Sequence, residues 1–171
     1  MLISNHVSMA DAAVLLAALP LDFRFVAGHG YVDYPLLGAA IRGASANIVN
    51  RGSWRSRADS AQAMVDSLVG GQSLLVFPEG TTADSGHMLS FRNGAFRAAA
   101  RTGSPVVPIA IRGTREMFPP GSTCLSNVPV AVEILPSIRP SGGTREAVID
   151  LRDRATAAIR TRLSAPEGAR L

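Results

Sequence analysis

Lysine is absent. All seventeen basic residues of this 171-residue chain are arginine, a pattern that no local chemistry demands and that points to codon usage. Cysteine occurs once, as Cys124. One thiol admits no intramolecular disulfide and no cysteine zinc site, and it suits a reducing compartment. Alone in a loop-like stretch, it reads as incidental. No apolar run approaches the roughly 20 residues of a membrane span, and none has the form of a signal peptide. The longest run, 12–21, is interrupted by Pro20. Aromatic residues make up 5% and do not interleave with the dispersed arginines. Nucleic acid is therefore a poor partner. The net charge of +4 favours an anionic membrane surface or an anionic substrate instead. There is no G-x-S-x-G nucleophile elbow and no phosphate-binding glycine loop.

What is present is enough for one core. Hydrophobic residues make up 47%, and the length fits a single domain over residues 1–164 with a frayed tail at 165–171. Short apolar runs alternate with amphipathic stretches. Strands are expected at 2–3, 23–27, 47–49, 73–77, 105–111 and 128–135. Helices are expected at 9–19, 31–42, 57–69, 91–102 and 144–163. Gly70 and Gly71 stop the third of these helices, and Gly103 stops the fourth. Residues 113–128, with Pro119, Pro120 and Gly121, read as an irregular loop able to move over a site. The alternation predicts an α/β fold, a mostly parallel central sheet flanked by helices. No internal repeat or linker interrupts it.

Two segments carry chemistry. Asn5-His6-Val7-Ser8-Met9-Ala10-Asp11 puts an imidazole at a strand end and a carboxylate in the first turn of the next helix. An imidazole ordinarily titrates near neutrality. A carboxylate folded back onto one ring nitrogen would fix the tautomer and stabilise the imidazolium, leaving the other nitrogen as a base. This is the base half of a triad without its serine, so a substrate hydroxyl would be the nucleophile. A strand cap and a helix cap are the plainer reading of the same two residues. Asn5 and Ser8 are expected to tether the turn through their side chains.

The second segment, Phe77-Pro78-Glu79-Gly80-Thr81-Thr82, follows a strand directly, where α/β sheets bind ligands. Its backbone N–H groups would suit an anion or oxyanion. Glu79 would take hydrogen bonds from a polyol or hold an arginine. A tight turn with a solvated glutamate is the alternative. Arg51, after the strand at 47–49, and Arg92, starting the helix at 91–102, are anion-binding candidates. The run 106–111 is core that could line an apolar slot. His29 and His87 lie in glycine-containing loops and are not expected to be ligands.

Taken in order, these segments resemble the glycerolipid acyltransferase family, typified by 1-acyl-glycerol-3-phosphate acyltransferase. The resemblance runs from Ser4 to about Ser137. Asn5, His6 and Asp11 match its first block, Arg51 its second, Phe77 to Thr81 its third, and the apolar stretch Val106 to Ile111 around Pro108 its fourth. Any one block is weak; four in order are specific. The resemblance implies transfer of an acyl group from coenzyme A or acyl carrier protein to a lysolipid hydroxyl in phospholipid biosynthesis. His6 would be the general base and Asp11 its orienting partner. Arg51, Glu79, Gly80, Thr81 and Arg92 would bind the acceptor. No metal or cofactor is implied beyond the thioester co-substrate. The expected location is cytoplasmic, peripheral on the inner face of the cell membrane.

This sequence departs from the family pattern in three places. Gly28 stands where a lysine is usual, Thr82 stands where an arginine is usual, and the hydrophobic helices that commonly precede the histidine block do not appear. Losing two cations from a phosphate pocket would remove charge-assisted hydrogen bonds of about 1.5–3 kcal/mol each. A lyso-ornithine lipid is therefore an alternative acceptor, with Arg92 able to compensate. Two other classes compete: a non-catalytic module binding lipid or carrier protein, and a thioester hydrolase using water.

Overall fold

A computed structural model describes residues 1–27, 49–50, 57–82, 86–122 and 124–165. The expected helix at 31–42 and the positions Gly28, His29, Arg51 and Arg55 lie outside the described residues, as do residues 47 and 48 of the expected third strand and the tail from 166. The described elements are β1 (Leu2–Ser4), α1 (Asp11–Ala18), β2 (Arg24–Ala27), β3 (Val49–Asn50), α2 (Arg57–Val69), β4 (Leu74–Val76), α3 (Gly94–Thr102), β5 (Val107–Arg112), α4 (Thr114–Met117), β6 (Ala131–Ile134) and α5 (Arg145–Ser164). Six strands form one sheet in the order β3-β2-β4-β1-β5-β6. All neighbours are parallel except β5 and β6. The expected mostly parallel α/β sheet is the observed one.

The strand residues alternate between two cores, as the period of two requires. Leu2, Leu75, Ile109 and Ile111 share one face with Ala12, Leu15 and Leu19 of the α1 segment. Ile3, Leu74, Val76, Val106 and Ala110 share the other with α2, α3 and α5. A parallel strand buried on both faces has to be apolar throughout, which is why Leu74–Val76 reads as a continuous hydrophobic run.

Helix ends follow local chemistry. Gly71 N–H reaches Leu68 O and Gln72 N–H reaches Ser67 O, the paired bonds that close a helix on glycine. At the start of α5, Thr144 accepts the Ala147 N–H at 3.2 Å, satisfying one of the orphan donors of the first turn. Arg112, the last residue of β5, donates to the carbonyls of Arg162 and Ala165 and to Glu133. One guanidinium thus ties the end of α5 to the sheet.

Two expectations need correction. Helix α3 begins at Gly94 rather than at Phe91, and ahead of it the Arg92 N–H donates to Pro78 O at 2.9 Å, which pins this stretch to the glutamate turn. The segment 113–128 is not wholly irregular, since it contains the one-turn helix α4. Ahead of α4 stands Gly113 at φ +82°, where a β-carbon would come within 2.1 Å of Pro129 O. Only glycine lets the two backbones approach so closely.

In this strand order β1 lies between β4 and β5. The connection leaving β1 crosses to β2 on one side, and the connection leaving β4 crosses to β5 on the other. Such a reversal opens a crevice at the carboxyl ends of the strands. His6, Glu79 and Gly113 all follow strand ends there.

Candidate active site

Two residues past β1, the chain turns into α1 and brings His6 against Asp11. His6 Nδ1 lies 2.9 Å from Asp11 Oδ2, and both side chains are buried. The same Asp11 oxygen accepts the Val7 N–H at 2.8 Å and the Ser8 N–H at 2.9 Å. An oxygen that already accepts two N–H donors is an acceptor toward the ring as well. Nδ1 therefore carries the hydrogen, and Nε2 is the basic nitrogen. The second oxygen, Asp11 Oδ1, is buried without a hydrogen-bond partner among the described residues. An unpaired buried acceptor costs stability, so this carboxylate is better explained by its site than by the fold's strength. The ring of His6 stacks on Phe77, centroids 4.1 Å apart and planes 15° from parallel. Phe25 stacks in turn behind Phe77 at 6.2 Å. Phe77 thus fixes the imidazole plane. It could have been suspected from its place directly before the Pro-Glu-Gly turn.

Asn5 does not tether this turn. Its Nδ2 donates to Ile111 O at 3.0 Å and its Oδ1 accepts the Ile111 N–H at 2.9 Å. The side-chain amide continues the β1–β5 ladder for one more rung and anchors the residue before His6. Ser8 does tether the turn: its hydroxyl accepts the Ala10 N–H and donates to Phe118 O. That second bond joins the turn to the segment after α4, together with Arg115, whose guanidinium reaches Val7 O at 3.5 Å.

The glutamate turn differs from expectation. Gly80 N–H closes the turn on Phe77 O at 3.2 Å, so this amide does not point outward to an anion. Glu79 is only 2% exposed. Its Oε1 accepts the His6 N–H at 2.7 Å and its Oε2 accepts the Leu89 N–H at 2.6 Å. Among the described residues, each oxygen is thus engaged by a backbone N–H of the protein itself. Burial pushes the Glu79 carboxyl above its ordinary range, while the Leu89 and His6 amides and the charge of His6 pull it partly back. The exposed Arg92 lies over Gly80: a β-carbon there would meet Arg92 Cζ at 2.9 Å. Gly80 holds φ +80°, so two constraints call for glycine at once. Thr81 is exposed, with its hydroxyl turned to the Thr82 carbonyl at 3.4 Å.

The fold thus gathers His6, Asp11, Glu79, Gly80 and Arg92, with Thr81 on the rim. Arg51 cannot be placed, since it lies outside the described residues. Next to the histidine turn opens a cleft of about 710 Å³, bounded among others by Asn5, Val7, Met88, Ile111 and Leu163. Asn5 and Val7, the two neighbours of His6 in the chain, are among its walls. Among the described residues no group of three or more His, Cys, Asp or Glu converges as a metal site would require.

A family model described as Acyltransferase matches residues 1–112. The chain belongs to the acyltransferase family. The resemblance to the glycerolipid acyltransferases is carried by named relatives as well. A chloroplastic 1-acyl-sn-glycerol-3-phosphate acyltransferase of Arabidopsis thaliana is 37% identical over 125 residues, 73% of this chain and 35% of that protein. A lyso-ornithine lipid O-acyltransferase of Pseudomonas aeruginosa is 34% identical over 117 residues, 68% of this chain and 44% of that protein. The chain therefore spans about a third to under half of the length of these relatives. The crystal structure of the 1-acyl-sn-glycerophosphate acyltransferase PlsC from Thermotoga maritima superposes with a TM-score of 0.74. That match covers 97% of this chain and 67% of the other, at 23% identity. At that identity the likeness speaks for the fold.

Proposed function

We propose that this domain, residues 1–164, transfers a fatty acyl group from a coenzyme A or acyl carrier protein thioester to a hydroxyl of a lysophospholipid such as 1-acyl-glycerol-3-phosphate. The observation that carries the reading is the buried contact of 2.9 Å between His6 Nδ1 and Asp11 Oδ2, at a strand end of an acyltransferase-family domain. His6 Nε2 takes the proton of the lysolipid hydroxyl. The alkoxide oxygen attacks the thioester carbonyl carbon, and the carbonyl π electrons move to its oxygen. When the tetrahedral intermediate collapses, the carbon–sulfur bond breaks and the thiolate takes the proton back from the imidazolium. Asp11 stabilises that imidazolium through its charge. No cofactor enters beyond the thioester. Arg92 above Gly80, and Arg51, would meet the acceptor's anionic group. A lipid- or carrier-binding module would have no need of a carboxylate-anchored imidazole. Action at the inner face of the cell membrane, as a peripheral protein, fits both the lipid substrate and the positive net charge.

A panel of lysolipids with acyl-thioester donors, read by mass spectrometry, tests the reading. His6→Ala is expected to lower the rate by at least about 10²-fold. Unchanged turnover would remove His6 from the mechanism. Thiol release with no acceptor present would instead indicate a hydrolase.

A lyso-ornithine lipid is the second acceptor reading. It is favoured by Thr82 in the place of the usual arginine and by the similarity to the Pseudomonas aeruginosa enzyme. Faster acylation of that acceptor than of 1-acyl-glycerol-3-phosphate, in the same panel, would decide for it.

A further inference from the structure

We propose that Glu79 is a positioning residue, whose carboxylate ties the backbone of His6 to the backbone of Leu89 and so holds the base in register with the loop below Arg92. This deepens the acyl-transfer reading and rests on it. The family pattern alone places this glutamate among the acceptor's ligands, but the geometry gives it another task. Glu79 follows β4, and it bonds to a residue 73 positions earlier and to one 10 positions later. Each oxygen takes one of those N–H groups, at 2.7 and 2.6 Å. The carboxylate is nearly sealed from solvent at 2% exposure, so little of it is open to a substrate arriving from solution.

The consequence for chemistry is direct. The His6 N–H is one bond from the Cα that carries the imidazole. Asp11 holds the ring from the helix side, and Phe77, two residues before Glu79, holds its plane. Glu79 holds the main chain on which the ring is mounted. Among the described residues, the charged groups near the carboxylate are His6 and Asp11 on the β1–α1 turn, with the Arg92 guanidinium over the neighbouring Gly80. A protonated carboxyl, or an amide in its place, keeps only one clear acceptor and turns a donor toward the second N–H. The ionised form is thus the one that fits both partners. Burial works against that form, and such opposition is common where a group is kept for function.

Two measurements test the assignment. In Glu79→Gln, kcat is expected to fall by about 10²-fold, the effect of a base displaced on the ångström scale. The KM for the lysolipid acceptor should move by less than about threefold, since no acceptor contact is removed. A large rise in acceptor KM with kcat retained would make Glu79 a ligand of the acceptor and overturn the proposal. The second measurement needs no turnover. In amide NMR spectra of the wild-type chain between about pH 4 and pH 8, the His6 and Leu89 N–H signals should shift together with one midpoint. That common midpoint should vanish in Glu79→Gln. Two amides that ignore the carboxyl, or titrate apart, would overturn the strut even if the variant failed to fold. Should the wild type transfer no acyl group to any lysolipid, the function reading would fail while the amide titration still decided the role of Glu79.

Discussion

Asp11 and Glu79 are both buried carboxylates, but their surroundings assign them different tasks. Asp11 Oδ2 gathers three N–H donors, one of them the imidazole. Its negative charge is what an imidazolium needs beside it. Asp11→Asn keeps the shape but removes the charge and disturbs the tautomer. It is expected to cut kcat/KM by about 10²–10⁴-fold with the circular dichroism spectrum intact. Activity within about tenfold of wild type would instead reduce Asp11 to a helix cap. Glu79 makes a prediction on stability. Its folded pKa is raised above the ordinary value, chiefly by burial. A carboxyl of that kind contributes most to stability when protonated, below its unfolded pKa. The contribution is lost as pH rises through the raised folded value. Unfolding free energies measured in urea from about pH 4 to pH 7 should therefore fall more steeply with rising pH in the wild type than in Glu79→Gln. Parallel slopes would contradict the burial argument.

At the scale of elements, local patterns located most of the structure and missed where neighbours intervene. The continuous apolar run of β4 and the double glycine after α2 are short-range signals, and both were legible. The start of α3 was not. Phe91 and Arg92 continue the helical pattern, but the chain ahead of Gly94 is tied to the distant Pro78 carbonyl through the Arg92 amide. The one-turn α4 was hidden among loop residues for a similar reason, because the turn at Gly113 is shaped by the approach of Pro129, sixteen residues downstream and just ahead of β6. That approach can be tested. In Gly113→Ala the new methyl would sit 2.1 Å from Pro129 O at φ +82°. A non-glycine residue in left-handed backbone costs roughly 1–2 kcal/mol. The backbone contact adds to this, for an expected total loss of at least about 2 kcal/mol by urea unfolding. A loss under about 0.5 kcal/mol would mean that the approach relaxes freely.

At the scale of the whole molecule, the sheet order brings the ends of β1, β4 and β5 to one rim, and the candidate site stands there. Among the described residues no helix is long and apolar enough to cross a membrane. The excess positive charge of +4 would attract an anionic lipid surface. Sedimentation with vesicles is expected to show binding to anionic lipid above that to zwitterionic lipid. The difference should disappear at about 1 M salt, where the screening length falls to about 3 Å. Equal binding to both vesicle types would separate lipid contact from charge.

The sequence by itself determined the α/β class and the family, and it offered His6 with Asp11 as a pair beside the plainer reading of two caps; the 2.9 Å contact came from the structure. An imidazole and a carboxylate five positions apart leave a turn little freedom. Only the tertiary structure decided which partners Glu79 and Asn5 find. His6 lies 73 positions from Glu79 and Ile111 lies 106 positions from Asn5, and no local pattern encodes which distant backbone a buried polar group will find. That choice is made when β1 settles between β4 and β5 and the groups left without water must bond to one another.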